Sequence, residues 1–152
     1  MATTAQARTP AHLWVVGILS LLWGCFGAYD YWMSRTHNLA YIAKSTPGAD
    51  PNTVIAFIDG MPMYAQIGWG LGVWTGLLGA VLLLMRSRYA VWAFALSMLG
   101  ILLSIGAELA GLTGIMPGGD TMLGKIMPWL VIVFGAALLI YSNAMHKRSA
   151  LR

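Results

Sequence analysis

Glu108 is the one ionisable residue set well inside an apolar run, LGILLSIGAELAGL. A carboxylate in hydrocarbon is costly, so it turns toward a neighbouring helix or water and often handles a proton or a ligand. Ser97, Gly100, Ser104, Ala107 and Gly111 form a small-residue stripe, and Glu108 falls within it by helical angle. Counted from Tyr89, it lies about 28 Å along a helix, near one membrane interface. Asp30 sits at a similar height on the first apolar run, and Arg35, His37, Lys44 and Lys125 follow on the same side. These residues predict a polar cluster over one mouth of a bundle, open to a small polar ligand. A buried pairing of Glu108 with Arg35 or Lys44 would offset part of its desolvation. The plainer expectation is helix-end ion pairing that fixes the long loop, since exposed pairs contribute only ~0–1 kcal/mol.

Other chemistry has little to work with. His12, His37 and His146 fall on different sides and form no ligand set, so neither a metal nor a cofactor is expected. Cys25 is the single cysteine and has no partner for a disulfide. No Ser/His/acid or Cys/His order suggests a nucleophile, and no glycine-rich phosphate loop follows a strand. The chain is therefore not expected to be an enzyme. Ten methionines and seven tryptophans read as lipid-facing filler and interface anchors. The net charge of +4 is spread over helix ends and makes no basic groove, which argues against nucleic acid.

The elements that must carry these residues are membrane spans. The chain has 152 residues, 59% hydrophobic and 9% charged, against roughly 25% charged in soluble domains. Tyr64 to Met85 is a run of 22 residues without a charge. That is about 33 Å of helix, enough for a bilayer core of ~30 Å. Within it Gly68, Gly72, Gly76 and Ala80 recur every four residues, on one helical face. In lipid such a row admits a second backbone at close range, so this span is expected to be the central packing surface. Gly17, Ser20, Gly24 and Ala28 add a small-residue face to the first span, and Gly135 to Ala137 add one to the last.

The fold class expected is all-α: a single polytopic membrane domain over 1–152, with four transmembrane helices in an antiparallel bundle. The spans are placed at about 12–34, 64–85, 89–112 and 126–145, with Pro128 in the first turn of the last. Residues 1–10 read as a polar tail. The loop 35–62 should hold short amphipathic helices. Leu39, Ile42 and Ala43 have helical spacing, Thr46-Pro47-Gly48 is a stop, and Asp50-Pro51 starts a second piece that ends at Gly60 and Pro62. A cleaved or lipidated first segment is the alternative, from Arg8 and the Leu22–Cys25 box. Trp23 and Phe26 fit that box poorly and favour a retained span.

Lysine and arginine counts set the expected orientation. Arg8, Arg86, Arg88, Lys147, Arg148 and Arg152 lie on one side with no acid, and Arg35, Lys44 and Lys125 on the other. Both termini should be cytoplasmic and the 35–62 loop extracytoplasmic. The aromatic belts agree: Trp14, Tyr89, Trp92 and Tyr141 on the inner side, and Tyr29, Tyr31, Trp32, Tyr64 and Trp129 on the outer.

The stretches GCFGAYDYWMSRTHNLAYIA and GLGVWTGLLGAVLLLMRSRYAVWAFALSMLG carry a resemblance. With Gly27 to Met33, Asn38, Tyr41, Thr46-Pro47 and the arginine turn, residues 20–103 resemble a family of small four-span bacterial inner-membrane proteins of unknown function. The resemblance implies a bacterial inner-membrane location and topology, and supplies no activity. A sugar-transporter label sometimes given to that family has no mechanistic basis in these residues. In this chain Gly-Ala-Asp-Pro follows the Thr-Pro, a departure in the loop.

The function expected is that of an accessory or structural membrane component that self-associates or joins a larger membrane complex, with the lipid bilayer as its solvent. The rival is a small transporter or channel subunit with an outward-facing polar site around Glu108 and Asp30. Ser20, Thr75, Ser97 and Ser104 are the only hydroxyls at depth for a polar path, unless a homo-oligomer supplies one.

Overall fold

The computed structural model describes residues 10–151, so the expected polar tail lies, but for Pro10, outside the described residues. Six helices follow in order: α1 (Ala11–Arg35), α2 (Leu39–Ser45), α3 (Pro51–Gly60), α4 (Met63–Leu84), α5 (Tyr89–Leu109) and α6 (Met122–Lys147). No strand occurs among the described residues. α1, α4, α5 and α6 are each long and apolar enough to cross a bilayer. The chain is thus a multi-pass helical membrane protein. α4 and α5 form the middle pair; α1 packs on α4, and α6 packs on α5.

The two loop helices start where the sequence places them, for local reasons. Asn38 accepts a hydrogen bond from the Tyr41 backbone N–H at 3.0 Å. Asp50 accepts one from Thr53 N–H at 3.3 Å, with Pro51 in the first turn. Ile42, Val54 and Ile58 then bury together as a small second core beside Trp69. The cap they form covers the end of the bundle remote from the termini, called here the loop end.

At the central seam α4 and α5 approach closely. A Cβ on Gly100 of α5 would collide with the Gly72 backbone nitrogen and lie 2.6 Å from the Gly68 carbonyl oxygen. A Cβ on Gly68 would lie 2.9 Å from the Gly100 oxygen. Backbone meets backbone here, so only glycine fits. Gly76 faces Ser97, and Ala80 is fully buried. The buried Ser97 hydroxyl donates to the Gly72 carbonyl at 2.7 Å. In lipid such contacts act through dispersion and hydrogen bonding, not through exclusion of water.

At the terminal end a larger apolar core forms from Leu13, Leu83, Phe94, Leu138 and Met145. The chain turns back into it after α6. Ser149 takes a left-handed φ of 55°, and Ala150 and Leu151 bury against the core. Arg86 Nε donates to the Ala150 carbonyl at 3.3 Å, which ties this segment to the α4–α5 turn.

Two helix bounds differ from expectation. α6 begins at Met122, because the Thr121 hydroxyl accepts from Gly124 N–H at 3.1 Å and caps an earlier start. Pro128 therefore stands inside the helix, beyond its first turn. It has no N–H to give the Gly124 carbonyl. α5 ends at Leu109, because Gly111 takes φ 73° and Leu112 N–H closes back on Ala107 at 2.9 Å. The lipid-facing reading of tryptophan and methionine also needs correction in part. Trp23 packs on Phe134, Trp69 packs on Tyr31, and Met145 is buried. Each meets a neighbouring helix that sequence spacing does not reveal.

Candidate polar site at the loop end

The sequence groups Asp30, Arg35, His37, Lys44 and Glu108; the fold divides them. α1 carries Asp30 to a point under α2, where its Oδ1 accepts the Tyr41 phenol proton at 2.7 Å. Tyr41 also stacks edge-on against Tyr29, with ring centroids 5.4 Å apart. Burial pushes the Tyr41 phenol well above its ordinary value, and the hydrogen bond to Asp30 and that residue's charge push it further. Tyr41 therefore remains a proton donor at neutral pH, and Asp30 keeps its partner.

Arg35 leaves the end of α1 and reaches Gln66 Oε1 at 3.1 Å. Gln66 in turn donates to the Met61 carbonyl at 2.8 Å. His37, in a left-handed turn at φ 54°, meets Asp59 of α3 at 3.1 Å. Both side chains are about half exposed, at 44% and 51%, so this pair contributes little beyond fixing the cap. Lys44 is exposed on α2.

Glu108 bonds to none of these side chains. Its Oε1 accepts from the Met116 backbone N–H at a long 3.4 Å. It lines a half-open hollow of about 320 Å³ with Asp120, Lys125, Pro128 and Trp129. Neither Arg35 nor Lys44 pairs with it: among the described residues the one carboxylate–cation contact within 4.0 Å is His37 with Asp59. α1 packs on α4, while α5 delivers Glu108 to the connection with α6, which meets the cap through Met116 and not through Arg35 or Lys44.

Two partners escaped sequence reasoning. Gln66 is the lone polar side chain in the opening turns of α4, a signal that it anchors a neighbour. Asp120 follows the Pro117-Gly118-Gly119 turn and gives no further sign. Among the described residues no three His, Cys, Asp or Glu side chains converge as a metal site would require. Comparison with protein-family models, with curated proteins and with solved structures found no match.

Proposed function

We propose that this protein is a non-catalytic helical component that assembles with itself or with a larger complex in a bacterial inner membrane. Both termini would lie in the cytoplasm, from the excess of lysine and arginine at that end. The observation that carries this reading is how the hydroxyls at depth are used. Three of the four hydroxyls at depth donate to a backbone carbonyl: Ser20 to Val16, Thr75 to Leu71 and Ser97 to Gly72. A hydroxyl whose proton is held by a backbone carbonyl has no donor left to offer a solute. A further observation favours assembly. α6 buries only 6% of its apolar window, against 33% for α5, so much of its surface is free for a neighbouring chain.

The test is native mass in mild detergent. The expected result is a defined assembly that Val133→Trp and Ile140→Trp disrupt without lowering the melting temperature, because both residues lie exposed on α6. A wild-type monomer with no co-purifying membrane protein under every mild condition would overturn the reading.

The second reading, a small transporter or channel subunit, rests on the hollow beside Glu108. Solute flux in proteoliposomes, abolished by Glu108→Gln with folding intact, would favour it over assembly.

A further inference from the structure

We propose that the hollow between the end of α5 and the start of α6 binds a small zwitterion, an ammonium linked to an anionic group as in an aminoalkyl phosphate. This goes beyond the assembly reading and does not depend on it. Glu108, Asp120 and Lys125 all line the hollow. Among the described residues none of them pairs with another within 4.0 Å. Two carboxylates and one ammonium thus surround one space without neutralising each other. A ligand carrying both signs answers all three. Its ammonium would sit between Glu108 and Asp120, and its anionic group on Lys125.

Two further features favour an ammonium. The indole of Trp129 lines the same hollow, and aromatic faces attract cations. Pro128 leaves the Gly124 carbonyl without its helical donor, and Gly124 also lines the hollow. That oxygen is an acceptor for an ammonium proton. The volume of about 320 Å³ lies near the lower bound of ligand sites, roughly 300–1,000 Å³, and suits a headgroup-sized molecule. The carboxylate excess disfavours a purely anionic ligand. The hollow lies at the end of two spans, where lipid headgroups gather, and it is also open to solvent. A lipid headgroup and a free solute are therefore the two sources of this one chemistry.

The experiment uses the full chain, purified in mild detergent and stripped of bound lipid. Phosphatidylethanolamine, phosphatidylglycerol, soluble phosphoethanolamine and inorganic phosphate are added separately, and retention is read by native mass spectrometry. At least one ethanolamine probe should bind about tenfold or more tightly than its purely anionic counterpart. Lys125→Gln and Asp120→Asn should each weaken that binding about tenfold, the scale of one lost charge-assisted hydrogen bond. Both residues are exposed, so these variants should fold even if Glu108→Gln does not. Retention of phosphatidylethanolamine alone assigns the site to lipid, and binding of soluble phosphoethanolamine assigns it to a solute. Equal retention of ethanolamine and anionic probes, no binding of any probe, or binding unchanged in both variants would overturn the proposal.

Discussion

Between α4 and α5 the backbones themselves touch, Gly100 lying against Gly68 and Gly72. Between α1 and α6 the contact is made by rings. Trp23 meets Phe134 with centroids 5.1 Å apart, and the His12 ring bonds the Tyr141 hydroxyl. The two seams respond differently to change. A side chain added at Gly100 meets only backbone, and backbone yields by shifting a whole helix. A ring trimmed at the second leaves a gap that flexible neighbours or a lipid tail can fill.

The largest effect should come from Gly100→Ala. Its new Cβ meets the Gly72 and Gly68 backbones, and overpacking of this kind costs about 1–3 kcal/mol or more. Gly72→Ala should cost less, since its Cβ would stand 3.3 Å from the Ile101 nitrogen. Melting in detergent, read for both variants, orders them. An equal loss for both would erase the asymmetry drawn from the packing.

Trimming the ring seam should do less. A double-mutant cycle over Trp23→Leu and Phe134→Leu should give a coupling of about 0.5–1.5 kcal/mol, the range for aromatic pairs. Coupling near zero would mean that the rings pack against lipid and not each other. Smaller again is Ser97→Ala, which removes one hydrogen bond between spans. Such bonds average about 0.6 kcal/mol in membranes. The Gly72 carbonyl lies within α4, so its helical bond survives the change.

The smallest effect concerns the cap. The Tyr41 phenol is raised from its ordinary 10.0, chiefly by burial, so the folded protein holds that proton more tightly than the unfolded chain. Its stabilising share is complete below about pH 10 and falls away as pH rises through and above that value. Absorbance at the phenolate band, wild type minus Tyr41→Phe, should show no ionisation at the ordinary pKa. A titration step there would place Tyr41 in open solvent.

The contrast between the seams also separates what the sequence discloses from what it hides. Gly68, Gly72 and Gly76 can be read as a contact face because a four-residue period and missing side chains point to one helical stripe. Their partner Gly100 lies in the stripe that also holds Glu108, and it is legible for the same reason. Capping at Asn38 and Asp50 follows from local bonding, so the loop helices could be placed. Arg35 bonds Gln66 and not Glu108, because equal height in a membrane says nothing about azimuth around the bundle. Which helix neighbours which is decided by long-range packing: α1 on α4, α6 on α5. The early start of α6 was hidden for another reason. Thr121 acts as its cap only once the preceding turn has set its backbone, and Pro128 by itself favours a later start.

The glycine seam joins two spans of one chain and not two copies. Gly76 and Ser97 test it directly, because a Cβ on Gly76 would stand 3.8 Å from the Ser97 Cβ. That is about the mean Cβ separation of a disulfide, ~3.8 Å. In a Cys25→Ser background, Gly76→Cys with Ser97→Cys should oxidise within the membrane to an intramolecular disulfide. The product predicted is a cross-linked monomer on a denaturing, non-reducing gel. A disulfide-linked dimer, or two thiols that stay free under oxidation, would contradict it.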